Sequence, residues 1–408
     1  RTHRGKEGAR GMRIMKFGSL GATALLLGVV QPARAEDAPP PPPVELSLTY
    51  TADVAATVSG GSDSKARYLD NYDLIADADL DRLVGWEGAR AHIYGLGNFG
   101  KRPNDSAGTL EGVDNIEVGK QAVRLFEAWV EQDLGGASVL AGLYDLNSEF
   151  YATDSSSLLI APPFGIGSEL AGNGPNGPSI FPSTALAVRV RAALNGGKGY
   201  IEAAALNARA QTWGDPGGID TSFDDGLLLI GEAGHMFGPA KLSLGAWTYS
   251  KKREDGFATD ALGNPLLRTA WGVYGLAEAR LYGGEEGPHL DAFLRGGASE
   301  GRTTDFSWAA HTGFLYGPVW NGREDSALSL GLRYARTSGP FRDLARAAGD
   351  TPSSGEYGLE LTYTDRIASF LLLQPDVQII DKPGGLSNAQ TAIVTSLRIT
   401  IEVPPLFH

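Results

Sequence analysis

The stretch Glu45–Val58, ELSLTYTADVAATV, decides the fold. Leu46, Leu48, Tyr50, Ala52, Val54, Ala56 and Val58 fall on one side of a period-two pattern. Glu45, Ser47, Thr49, Thr51, Asp53, Ala55 and Thr57 fall on the other. An extended chain sends successive side chains to opposite faces, whereas a helix would mix these two sets. At 14 residues the run is far longer than the five or six of an average soluble strand, and it exceeds the ~9–11 that cross a bilayer at a tilt.

The same alternation returns along the chain. Asp73, Asp77, Asp79 and Asp81 stand opposite Tyr72, Leu74, Ala76, Ala78 and Leu80. Leu328, Leu330, Leu332 and Tyr334 oppose Ser329, Gly331 and Arg333. Tyr357, Leu359, Leu361 and Tyr363 oppose Glu356, Glu360, Thr362 and Thr364. Ile393, Leu397, Ile399, Ile401 and Val403 oppose Ser396, Arg398, Thr400 and Glu402. With less regular segments between them, about 16 strands are expected. Glycine-rich turns punctuate them, such as Gly135-Gly136 and Asn195-Gly196-Gly197. Tyr50, Tyr94, Tyr200, Trp247, Tyr282, Tyr316 and Tyr334 lie near expected strand ends, where an interfacial girdle would place them. The expectation is an all-β protein: a transmembrane antiparallel β-barrel, closed because hydrocarbon leaves no unpaired backbone group satisfied.

The N-terminal region reads as an export signal. A basic start at Met12–Lys16 precedes the apolar run Gly21–Val30, and Ala33-Arg34-Ala35 offers small residues for cleavage. Residues 1–35 are therefore expected to be upstream sequence and signal peptide, 36–43 a proline-rich leader, and 44–408 the barrel. Cleavage after Ala35 removes seven Lys/Arg and one Glu, leaving 28 basic and 47 acidic residues and a formal charge of −19. That balance excludes nucleic acid as a partner. The chain has no cysteine, so neither disulfides nor thiolate metal sites are open to it.

Motifs for chemistry fail on context. Gly172-Asn-Gly-Pro-Asn-Gly177 has dinucleotide-loop spacing, but Pro175 and Asn176 make it a turn and no helix pattern follows. The six histidines are dispersed, and no nucleophile elbow is present. The acidic run Asp215–Asp225 lacks calcium-loop spacing and reads as a solvated loop. No catalytic residue, metal or cofactor is expected.

Two charged sets belong inside a barrel. Glu127, Trp129, Glu131 and Asp133 share a face opposite Phe126, Ala128 and Val130, while Arg189 and Arg191 share a face away from Leu186, Val188 and Val190. An arginine facing lipid at the midplane costs about 2–4 kcal/mol, so these sets should face the lumen. Set on opposed or neighbouring walls, they would create a field across a constriction, with Trp129 as a stacking surface on the same face. The long irregular stretch Tyr151–Pro182 is expected to fold into the lumen and narrow it.

Residues Arg124–Phe150, with Gly142-Leu-Tyr-Asp145-Leu-Asn147-Ser-Glu149-Phe150, resemble the carbohydrate-selective porins of the OprB type. Phe164–Gly167, Pro178–Pro182 before Val188-Arg189-Val190, Glu360–Tyr363 and Leu373–Ile380 followed by Pro383-Gly-Gly385 carry the resemblance further. The middle, roughly 205–350, matches only as alternating strands. One departure is the end Pro404–His408, where such barrels usually finish on an aromatic residue. The resemblance implies a 16-stranded outer-membrane barrel passing small sugars by diffusion, with Asp145, Asn147 and Glu149 at a strand-to-loop junction beside the constriction. Outer-membrane lipid and lipopolysaccharide would surround it, and a homo-oligomer is possible. A general or organic-acid-selective porin on the same barrel, and an outer-membrane barrel that is no channel, are the alternatives.

Overall fold

The computed structural model describes residues 42–284 and 287–403. The expected export signal, most of the expected proline-rich leader and the terminal Pro404–His408 lie outside the described residues. Sixteen antiparallel strands close into one barrel. Its first half holds β1 (Val44–Ser59), β2 (Arg67–Asp79), β3 (Ala89–Gly100), β4 (Ala122–Asp133), β5 (Ala137–Tyr144), β6 (Ala185–Leu194), β7 (Gly199–Asn207) and β8 (Leu227–Phe237). After β9 (Ala240–Tyr249), a separate hairpin of β10 (Arg253–Thr259) and β11 (Pro265–Arg268) stands off the wall. The barrel resumes with β12 (Trp271–Tyr282), β13 (His289–Ser299), β14 (Phe306–Gly317), β15 (Ala327–Thr337), β16 (Gly355–Ala368), β17 (Leu371–Asp381) and β18 (Ala392–Val403).

Closure is made by β1 against β18. Their register sets Ala52 opposite Ile399 and Asp53 opposite Arg398, so the apolar sets of both strands point outward together. Val54, Leu330, Leu361 and Leu397 are exposed, while Asp53, Arg333, Glu360 and Arg398 are buried. This inside-out distribution is the arrangement of a barrel whose solvent outside is hydrocarbon.

Connections alternate in length. Turns such as 134–136, 195–198 and 238–239 close one end, and long segments such as 101–121, 145–184, 208–226 and 338–354 crowd the other. Helix α1 (Leu80–Val84) closes one of the short connections, and α2 (Asn104–Ala107), α3 (Ser168–Ala171) and α4 (Gly339–Ala347) lie within the long ones.

Strict alternation breaks at one place that matters. Tyr94 pairs with Glu127 but Gly95 pairs with Leu125, a β-bulge that leaves Phe126 as the extra residue of β4. Phe126 therefore faces inward and is buried, not outward as the alternation alone implies. The expected girdle is corrected in the same way. Tyr94, Tyr200 and Trp247 point into the barrel, where the Tyr94 hydroxyl donates to Asp73 at 2.6 Å and Tyr200 donates to Glu232. Tyr50, Tyr316 and Tyr334 remain on the outward face.

Candidate functional site: the lumen and its inserted loops

The interior is occupied by two loops. The stretch between β5 and β6 hydrogen-bonds inward-facing side chains around much of the wall, and glutamates do most of the holding. Glu232 on β8 accepts from the Tyr151 N–H at 3.0 Å, and Glu278 on β12 accepts from the Ser155 N–H at 2.8 Å. Glu360 on β16 accepts from Ala161 N–H at 3.0 Å and from Ile160 N–H. Arg295 on β13 donates to the carbonyls of Gly165, at 3.1 Å, and Pro163. A loop turned in on itself leaves many backbone groups without ladder partners, and glutamate and arginine side chains of the wall supply them.

Packing fixes the same segment. Tyr151 stacks on Tyr274 of β12 at 4.2 Å between centroids. Gly331 of β15 supplies the seat for Phe164, since a Cβ there would come within 2.4 Å of the ring. Within the loop, burial raises the Glu169 carboxyl to about 7, despite the Tyr151 hydroxyl donating to it at 2.9 Å.

The second insertion, residues 101–121, was not singled out by its sequence. It crosses to the far wall. Leu110 N–H donates to Glu356 of β16 at 2.9 Å, and Gln378 of β17 donates to Val113 O at 2.7 Å. Arg398 of β18 bridges Asp53 of β1 and Asn115 of this loop, each at 2.7 Å. Ser168 donates to Glu111, which joins the two loops directly. Burial pushes the Glu111 carboxyl up against the opposing pull of Arg333.

The residues picked out from sequence gather on one wall. Arg189 reaches Glu131 at 2.9 Å and Glu149 at 2.6 Å, and donates to Ser138 at 2.8 Å. Arg90 pairs with the other oxygen of Glu131. Arg191 lies 3.7 Å from Glu149 and pairs with Glu202 of β7. Three guanidinia and three carboxylates thus form one continuous chain along β3–β7. The arginines and glutamates sit on neighbouring strands of the same wall, and their charges are consumed in pairing.

Glu127 stands above this chain, accepting from Trp129 Nε1 and from Asp145 N–H, both at 3.1 Å. Asp145 in turn caps the short turn that follows β5 by accepting from Asn147 N–H at 2.9 Å. Asn147 then holds the loop from within, donating to the carbonyls of Phe150 and Gly165. Trp129 is only 9% exposed, with His92 stacked on it at 4.8 Å and Arg90 over it at 5.3 Å. It offers no open face for a sugar ring. Gly142 makes room for it: φ is +146°, and a Cβ there would sit 2.1 Å from Ala128 O.

A barrel of sixteen strands with a polar lumen narrowed by loops is the architecture of a diffusion channel. The sequence profile of the carbohydrate-selective porins, the OprB family, matches residues 63–403. The chain belongs to that family. It is an outer-membrane porin, and small carbohydrates are its diffusing solutes. Porin B of Pseudomonas aeruginosa is similar to this porin, 22% identical over 399 residues that cover 87% of this chain and 86% of that protein. Its fold is similar to Pseudomonas putida OprB in a high-pH structure, with a TM-score of 0.78 at 22% identity, covering 88% of this chain and 94% of the other. The outer-membrane channel DcaP of Acinetobacter baumannii aligns with a TM-score of 0.54 at 10% identity, covering 88% and 97%.

Proposed function

We infer that this porin passes neutral, multiply hydroxylated solutes along the wall formed by β3–β7, between that wall and the two inserted loops. The observation carrying this reading is the balanced chain Arg90–Glu131–Arg189–Glu149–Arg191–Glu202. Each charge within that chain is matched, so it presents donors and acceptors to a solute rather than an unpaired charge for an ion to follow. Arg191, with its side chain 32% exposed, and the partly exposed Asn147 are the groups left for solute. A sugar hydroxyl can replace water on such a group, and each contact stays weak enough for release.

The reading needs no bond-making step: Glu131, Glu149 and Glu202 are engaged by arginines, and Glu127 and Asp145 accept N–H groups of the wall and its loop. Planar-bilayer recordings in a salt gradient test it. A reversal potential close to zero, with current reduced by added glucose, supports the balanced wall. A strongly ion-selective channel insensitive to glucose would overturn it.

A further inference from the structure

The outward side of β6–β9 and β12 carries a dent. Along one row of the sheet Val190 stands beside Ala203, Gly231, Ala246 and Val273, all on the membrane face. A row elsewhere on the same face reads Phe314, Leu330, Leu361 and Val377, large side chains throughout. Three small residues between two valines leave an apolar groove of about 750 Å³ that continues past Ala205 to Trp271. Packing does not force this smallness. A Cβ on Gly231 would meet nothing nearer than the Glu202 carbonyl at 3.6 Å.

At one end the groove meets charge. Long connections mark the extracellular end of such barrels, and β9 reaches that end at Tyr249 while β12 leaves it at Trp271. Ser250 N–H still donates to Leu227 O of β8, and Lys251, Lys252 and Arg253 follow. Both lysines are exposed. Lys251 donates to Asp224 O, a carbonyl, and Lys252 has no carboxylate partner among the described residues. Asp225 is already shared by Arg209 at 2.7 Å and Arg253 at 3.5 Å. The exposed acids beside the lysines are Asp224 and Glu254.

We propose that groove and rim together bind one molecule of lipopolysaccharide, with an acyl chain in the groove and a headgroup phosphate on Lys251 and Lys252. An apolar groove beneath two cations free of carboxylate partners is complementary to a lipid whose phosphates sit above hydrocarbon chains. A chain lying between Val190 and Val273 touches protein on its flanks as well as beneath, so it gains dispersion contacts that a flush row cannot give. Trp271, 49% exposed and paired with Thr248, sets an indole where chain meets headgroup. Asp224 and Glu254 join the contact by sharing a divalent cation with phosphate. The leaflet selects the lipid: the rim lies at the extracellular end, where the outer-membrane lipid is lipopolysaccharide.

The full-length porin would be purified from outer membranes in mild detergent and its retained lipid identified by native mass spectrometry. Lipopolysaccharide and, separately, a phospholipid would then be titrated onto delipidated protein. One tightly held lipopolysaccharide per chain is expected, with phospholipid binding more weakly. Gly231→Leu/Ala246→Leu fills the groove with apolar atoms, and Lys251→Ala/Lys252→Ala strips the rim of its charge. Each pair should lower lipopolysaccharide affinity by about tenfold or more while the heat-modifiable barrel band persists. The lysine pair lies outside the strands, so it carries the test even if the filled barrel fails to assemble. Leu361→Phe, elsewhere on the outward face, should leave affinity unchanged. Equal binding by every variant would make the lipid a general coat and overturns the proposal. Phospholipid binding as tightly as lipopolysaccharide, or no lipopolysaccharide held by the unaltered protein, overturns it too.

Discussion

Replacing Arg189 by alanine tests whether the charged wall is a balanced structure or a set of independent groups. The guanidinium is fully buried and makes four hydrogen bonds, to Glu131, to both oxygens of Glu149 and to Ser138. Removing one member of a buried pair costs about 3–5 kcal/mol, chiefly because the partner stays behind uncompensated. The lower end applies here. Glu131 keeps Arg90, and Glu149 keeps the Tyr144 hydroxyl at 2.6 Å and Arg191 at 3.7 Å. A loss of about 3 kcal/mol is about two decades in the equilibrium between the seated and released loop. Because Glu149 begins the segment that runs into the lumen, the loss should appear as noisy, larger conductance and a lower temperature for conversion of the heat-modifiable band. The wall also gains one net negative charge, moving the reversal potential toward cations. Arg189→Lys keeps the charge but cannot bond Glu131 and Glu149 together, so the potential should hold while the conversion temperature falls. If Arg189→Ala changes neither potential nor conversion temperature, the network carries no energetic weight and the reasoning is refuted.

Other perturbations follow from the same geometry. Gly331→Val would drive a side chain into Phe164, so single-channel conductance should rise with the barrel band intact; unchanged conductance would place the loop elsewhere. Shortening Ala171–Asn176, which reaches the neighbouring loop through Asn176 donating to Ala210 O at 2.6 Å, should likewise raise conductance. Leu330→Arg on the outward face should impair assembly, at a cost of about 2–4 kcal/mol at midplane depth, as read by the yield of heat-modifiable band. For pH, the folded Glu169 binds its proton up to about 7, above the ordinary carboxyl range. Its contribution to loop packing is therefore full at low pH and is lost as pH rises through about 7, so conductance noise should grow over that window. Glu169→Gln should remove the dependence; persistence would assign it to another group.

Period-two alternation made the barrel legible, because outward-facing residues must be apolar on every strand and inward-facing ones need not be. Glu45–Val58 and Ser326–Tyr334 were readable in full for that reason. What local pattern cannot carry is an extra residue or a distant partner. The bulge at Phe126 shifts the phase of half of β4, and no composition change marks it. The loop 101–121 reads as an ordinary polar connection. Its contacts, Val113 with Gln378 and Asn115 with Arg398, span more than 260 residues of sequence. Arg189 and Glu131 were visible as lumen-facing charges. That they share one wall, joined through Glu149, followed only from β5 lying between β4 and β6. Trp129 looked available for stacking because His92 and Arg90 belong to another strand.

Solute flux is the direct test of the central claim. The purified full-length protein would be reconstituted in liposomes, and swelling rates compared for glucose and for gluconate, an organic anion of similar size. A balanced polar wall predicts measurable glucose entry that exceeds gluconate entry. Absence of swelling with glucose, or gluconate entering as fast or faster, would contradict the account.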